Sequence, residues 1–272
     1  MERPPVSVAY VAPPIVDTHA HIFTRDLPFV AEAWARPDYD YSVEQYLADL
    51  DAHGIVFGVI AAASLFGDYN DYVLAALRGS KRLRATVRID VATDRPVLER
   101  LARDGVVGVR FQWRRDGPLP DLESHEHRKL FFRMADLGLH AQVNASGPRL
   151  ATAVAALRKC RVPIVVDHFG LLRADGLDCP GFRAAVEAAQ AGEAWIKLSA
   201  PFRLPDGRER DYGRYLLETV GPDRLLWGSD APFIGHEAHM TYRDAIDRFA
   251  AIIPDAQARR RMSDAALRLF FC

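Results

Sequence analysis

Near its start the chain reads Asp17-Thr18-His19-Ala20-His21, two histidines one residue apart inside a short apolar run. Side chains of an extended strand alternate between faces, so Asp17, His19 and His21 are expected to point the same way. Two imidazoles converging on one point suit a metal ion, a polarised carbonyl or a bound water. A second run ends Val165-Val166-Asp167-His168-Phe169-Gly170. Charged groups at the end of a buried apolar run are costly unless paired or used. His168 is expected at the rim, with Asp167 on the opposite face beside a cation. A third run, Leu226-Trp227-Gly228-Ser229-Asp230-Ala231-Pro232, carries Asp230 out just before a proline-fixed turn. There it serves as a general base or metal ligand facing the histidines, or as a helix cap.

Other polar groups read with two meanings. Arg110, in Gly108-Val109-Arg110-Phe111, needs an anionic partner. That partner is a substrate carboxylate or a barrel acid such as Asp90 or Asp17. Lys197 shares a face with Ser199 and has the same alternatives. His125-Glu126-His127 copies the paired spacing at a helix start, where it does not align the side chains, and reads as solvated surface. His236-Glu237-Ala238-His239 lacks the zinc-helix signature, but it follows the third run, so His236 is expected to line a pocket. Arg259-Arg260-Arg261 reads as a solvated helix face.

Something must hold these groups together. Val- and Ile-rich runs at 15–22, 55–62, 84–90, 106–112, 139–144, 163–168, 194–199 and 224–229 predict eight strands. Helical patterns at 42–53, 95–103, 125–137, 149–160, 181–191, 212–220, 241–253 and 255–270 fall between and after them. Strands that are apolar throughout imply a parallel sheet covered by helices. Eight such units predict an α/β fold of the closed (β/α)8 barrel type, one unit over residues 1–272. An open doubly wound sheet is the alternative, but the first strand–helix turn lacks a glycine-rich phosphate loop. A barrel gathers its site at the C-terminal strand ends, where the three runs place their polar residues. The segment 22–41, rich in aromatics, is long for a loop and reads as a lid or pocket wall.

Composition excludes several functions. In 272 residues, 35 Lys and Arg against 36 Asp and Glu give a net charge of -1, with no basic excess for a phosphate backbone. Hydrophobic residues at 49% are too many for disorder, and no run is long enough to span a bilayer. Cys160, Cys179 and Cys272 form neither a disulfide framework nor a zinc pattern, and the start carries no secretory signal, so a reducing cytoplasm is expected. The composition leaves room for a homo-oligomer.

The three runs together resemble the amidohydrolase superfamily, and within it the amidohydrolase-2 group. The likeness extends from about Ile15 to Phe270 and is similar above all to the 2-pyrone-4,6-dicarboxylate, muconolactone-type and sugar lactonases. The stretch 67–70 and Trp195-Ile196-Lys197, with Pro201 and Arg203 behind it, match as well. The resemblance implies hydrolysis of a small-molecule lactone by water that Asp230 activates. His19, His21 and His168 would orient water and carbonyl, Arg110 and Arg203 would grip carboxylates, and Ser64 and Asn70 would add lesser polar contacts. The pattern also departs from that group. Leu171 stands where an arginine is expected, with Arg173 the nearest one, Asn144 replaces an aromatic, and Ala231-Pro232-Phe233 replaces Trp-Pro-His. Part of the dicarboxylate grip is therefore replaced, and Asn144 joins the expected substrate contacts. The lactonases imply that no cofactor is required. If one divalent metal such as zinc is held, its ligands would be His19, His21 and Asp230. The alternative reaction is a metal-dependent decarboxylation.

Overall fold

The computed structural model describes residues 12–113, 118–172 and 175–272. Arg173 lies outside them. Eight parallel strands run in chain order around a (β/α)8 barrel. They are β1 (Val16–Ala20), β2 (Phe57–Ala61), β3 (Leu83–Val87), β4 (Val106–Gln112), β5 (His140–Asn144), β6 (Ile164–Val166), β7 (Ala194–Ser199) and β8 (Leu225–Gly228). The covering helices are α1 (Val43–Ala52), α2 (Asp71–Gly79), α3 (Arg95–Arg103), α4 (His125–Asp136), α5 (Gly147–Lys159), α6 (Pro180–Gln190), α7 (Glu209–Val220), α8 (Tyr242–Ile252) and α9 (Ala256–Phe271). Among the described residues no helix is long and apolar enough to cross a membrane.

All eight expected strands form. Helix α2 does not follow from the sequence pattern: it is nine residues long and buries only Val73, Ala76 and Leu77. Asn70 occupies its N-cap position but makes no capping bond, because its side chain is turned elsewhere.

The barrel interior is layered. At the bottom Val16, Val59, Val165 and Leu226 pack against Ala266 and Phe270 of α9, which plugs that end. Higher up the interior turns polar. Thr86, Gln142 and Lys197 are completely buried there, and the Thr86 hydroxyl donates to Gln142 Oε1 at 3.0 Å. Apolar side chains of the outer strand faces pack under the helices and form the main core.

The strand β1 is irregular. Asp17 pairs with Gly58 and Ala20 with Ile60, so three steps on β1 match two on β2. The additional residue is a β-bulge, which reverses the alternation of faces. Val16 and His19 therefore both face inward, and Asp17 does not share the histidine face. This corrects the expectation of a common face for Asp17, His19 and His21.

Candidate active site

The barrel closes between β1 and β8 by bonds from the site motifs themselves. The Asp230 N–H donates to the His19 carbonyl at 2.8 Å, and the His21 N–H donates to the Ala231 carbonyl at 2.8 Å. Thr18 Oγ1 donates to the Trp227 carbonyl at 2.6 Å. Gly228 is required here, since a Cβ would lie 2.6 Å from His19 Cβ. Asp17 serves this seam. It accepts from the Ser229 N–H and hydroxyl, from the His19 N–H and from the Tyr242 hydroxyl of α8.

Above the seam, three imidazoles surround one carboxylate oxygen. His19 Nε2 and His21 Nε2 each lie 3.6 Å from Asp230 Oδ1, and His168 Nε2 lies 3.8 Å from it. The other oxygen, Oδ2, accepts from Arg203 Nε at 2.9 Å. Asp230 and His168 both adopt left-handed backbone, with φ of 64° and 51°. Non-glycine residues are held there at a cost of about 1–3 kcal/mol, and such strain gathers at functional sites. Ala231-Pro232 is a cis peptide. Burial alone would raise the Asp230 pKa. The charge of Arg203 leads the opposing effects, with the three histidines behind it, and together they hold the carboxyl well below the usual range. Asp230 is therefore an ionised, stabilised and weak base. Burial drives His168 down to about 4 against the pull of Asp230. It also drives His19 well below the usual histidine range. Both rings are neutral near pH 7.

The tautomer of His21 follows from its neighbour. Nδ1 lies 2.6 Å from the Ala61 carbonyl, which only accepts, so Nδ1 carries a proton, while Nε2 faces Asp230. His168 Nδ1 lies 2.8 Å from Ser199 Oγ.

Beneath the histidines, Asp167 is completely buried and faces inward, correcting the expectation that it points to the other face. Its Oδ2 accepts from Arg110 Nε and Nη2 and from Gln142 Nε2. Its Oδ1 lies 3.3 Å from His19 Nδ1 and 3.5 Å from Lys197 Nζ. The acid partner of Arg110 is thus Asp167, neither Asp90 nor Asp17. Arg110 also donates to the Ala62 carbonyl at 2.7 Å and approaches His19 Nε2 at 3.3 Å. Burial lowers Lys197 to about 8, with Asp167 opposing.

A cavity of about 870 Å³ opens over this floor. His21, His168, Asp230, Arg110, Arg203, Ser64 and Asn144 line it, as does Trp34 from the long 22–41 segment. Trp34 Nε1 donates to Ser64 Oγ at 3.3 Å, so the Ser64 hydroxyl is engaged with this wall. His19 lies below the lining and acts from the floor. Asn70 and His236 are not among the lining residues. The Asn70 side chain binds the backbone of Arg88 instead, and the His236 ring lies against Phe202 at 4.8 Å. Arg88 and Gln112 line the cavity without having been singled out in the sequence. Arg88 does carry a signal, a cation closing an apolar run in Arg84-Ala85-Thr86-Val87-Arg88, of the same kind that marks Arg110.

His19, His21 and Asp230 present one donor atom each within 4.8 Å of one another. Two imidazoles and a carboxylate with an open fourth position suit a zinc-type ion. The guanidinium groups of Arg110 and Arg203, 3.3 and 2.9 Å from those same groups, oppose it. Each places a positive charge beside the donor atoms that would hold the cation. The donor set fits the ion, and its two cationic neighbours weaken the hold.

The family model described as Amidohydrolase matches residues 16–272. The chain belongs to the amidohydrolase family. It is similar to a 4-sulfomuconolactone hydrolase of Hydrogenophaga intermedia, 26% identical over 96% of this chain and 90% of the relative. A 2-pyrone-4,6-dicarboxylate hydrolase of Comamonas testosteroni is 28% identical over 94% of this chain and 90% of its own length. Among solved structures, a probable 2-pyrone-4,6-dicarboxylic acid hydrolase from Acinetobacter baumannii, with citric acid bound, superposes with a TM-score of 0.89. It is 26% identical, and the match covers 94% of this chain and 98% of that one.

Proposed function

We propose that this amidohydrolase opens an anionic lactone by attack of a water molecule that Asp230 activates. One observation carries the reading: the Nε2 atoms of three buried imidazoles face Oδ1 of a carboxylate whose other oxygen is tied to Arg203. The substrate water sits between Asp230 Oδ1 and His21 Nε2 and donates a hydrogen to Asp230, which turns a lone pair of its oxygen to the carbonyl carbon. As Asp230 takes that proton, the water oxygen bonds to the carbonyl carbon; the ring C–O bond then breaks, the leaving oxygen receives the proton from Asp230, and the new carboxylic acid releases the remaining proton to solvent. With the Ser199 hydroxyl donating to Nδ1, His168 carries its proton on Nε2 and donates to the developing oxyanion. His19 is positioned by Asp167 and Lys197 and keeps Asp230 oriented.

Arg203 and Arg110 meet the substrate carboxylate at the cavity floor, with Ser64 and Asn144 as polar wall contacts. Asn70 and His236 act from behind the wall. A base this strongly stabilised suits a lactone with a good leaving oxygen, such as an enol, better than an amide. His19, His21 and Asp230 would hold a divalent metal, which would add charge to polarise the carbonyl when bound. A cytoplasmic setting is also proposed, supported by three free cysteines, two of them buried.

The test is a pH-stat screen of carboxylated and neutral lactones on chelator-treated protein. Proton release with anionic lactones supports the reading. Liberation of carbon dioxide from hydroxylated aromatic acids, with no lactone turned over, replaces it with decarboxylation.

A further inference from the structure

Two completely buried polar side chains lie beneath the cavity and outside its lining, Thr86 on β3 and Gln142 on β5. We propose that they are positioning residues: Thr86 fixes the amide of Gln142, and that amide holds Asp167 and His19 in place beneath Asp230. The effect on turnover rests on the lactonase reading, since it is exerted on the floor of that site. The effect on the His19 ring does not.

A single nitrogen carries the inference. Gln142 Nε2 donates to Asp167 Oδ2 at 3.1 Å and lies 3.4 Å from His19 Nδ1, so one amide spans both members of the pair. Its other end is held from across the barrel. The Thr86 hydroxyl donates to Gln142 Oε1 at 3.0 Å, although β4 separates the two strands. These bonds leave the amide one orientation. Turned over, it would set Oε1 against the carboxylate of Asp167, which is ionised beside Arg110 and Lys197, two acceptors with no proton between them.

Asp167 is the group that needs such a guide. Arg110 Nε, Arg110 Nη2 and Gln142 Nε2 all meet Oδ2. No hydrogen bond reaches Oδ1 among the described residues, and it faces His19 Nδ1 at 3.3 Å and Lys197 Nζ at 3.5 Å. The grip on Oδ2 therefore decides where Oδ1 points, and Oδ1 in turn bears on the tilt of the His19 ring. A neutral amide gives that direction without adding a third positive charge beside Asp167. Burying a hydroxyl and an amide costs free energy unless both are bonded. Here the side-chain bonds run to each other and to the site, so the polarity serves the floor rather than the sheet.

Kinetics and spectroscopy test this together. With the lactone turned over fastest in the pH-stat screen, Thr86→Val and Gln142→Met, both close in size to the native residues, should each lower kcat about tenfold. KM should stay within about twofold, since neither side chain reaches the cavity. Thr86→Ser, which keeps the hydroxyl, should retain most of the rate. Thr86→Val combined with Gln142→Met should be no slower than Gln142→Met alone, because Thr86 acts through the amide. Nitrogen-15 shifts of the His19 ring in unliganded protein, assigned by their loss in His19→Gln, give a readout without turnover. Wild type should show one fixed neutral tautomer, Thr86→Val an exchanging mixture, and Thr86→Ser the wild-type pattern. If Gln142→Met does not fold, Thr86→Val and Thr86→Ser decide alone. Unchanged kcat, additive losses in the double variant, or a fall in kcat with the His19 shifts unmoved overturns the proposal. His19 shifts that respond in a protein opening no lactone would leave the positioning standing and remove the reaction. Lactone turnover indifferent to these variants would do the reverse.

Discussion

The carboxylate of Asp17 accepts both the backbone N–H of Ser229, at 2.8 Å, and its hydroxyl, at 2.7 Å, across 212 positions of sequence. This acid fastens the last strand to the first and holds the segment from which Asp230 projects. Asp17→Asn should therefore lower stability by about 1–3 kcal/mol, the cost of leaving buried donors poorly matched. It should also slow turnover, although Asp17 does not line the cavity. Thermal unfolding and kcat, measured on the same preparation, check both effects; a slower enzyme of unchanged stability would contradict the fastening role.

Asp230→Asn keeps the size of the side chain and removes the base. Turnover of the preferred lactone should fall by about 10²–10⁴, the usual contribution of general-base catalysis. KM should change little, because Arg110 and the cavity walls remain. Steady-state kinetics and the melting temperature distinguish this from misfolding, and wild-type kcat in the variant would remove Asp230 from the chemistry.

Acid should act on activity and on stability over different ranges. Burial lowers His168 to about 4, so kcat/KM should stay level through neutral pH and fall as the pH drops through about 4, where the ring gains a proton. His140 sits lower in the barrel with Nε2 unpartnered, and burial holds it at about 3. The unfolded chain binds a proton at this residue below about 6.5, whereas the folded chain does not until about 3. Its contribution to stability is thus complete above pH 6.5 and is lost progressively as the pH falls toward 3. Urea midpoints of wild type should decline over that window, and His140→Leu should flatten the decline. Parallel curves for the two proteins would show that His140 is not the linked group.

Chelation should leave turnover within about twofold, because Asp230 and His19 already face guanidinium charges that oppose a divalent ion. Dialysis against a chelator, followed by metal analysis and assay of the same sample, checks this. Loss of activity that zinc restores would give the metal a working role at His19, His21 and Asp230.

Much of this architecture was legible in the residue pattern because burial leaves a strong periodic trace. All eight Val- and Ile-rich runs are strands, and His19, His21, His168 and Asp230 meet because each ends or follows such a run on the same rim. The failures have local causes. One bulged residue on β1 separates Asp17 from His19, and no periodicity announces a bulge. Arg110 needs an anionic partner by its place in an apolar strand, a substrate carboxylate or an acid such as Asp90 or Asp17; the acid it meets is Asp167, whose inward direction the alternation of faces does not give. The resemblance makes Asn70 a substrate contact, yet its hydrogen bonds go to the backbone of Asp68 and Arg88. Helix α2 is too short and too rich in alanine to stand out.

Because the bonds between Asp230 and His19, and between His21 and Ala231, join opposite ends of the polypeptide, reactivity and topological completion arrive together. A nascent chain that lacks its final quarter carries the imidazoles with no carboxylate to face them. The last step of barrel closure and the completion of the polar cluster thus depend on the same few backbone bonds.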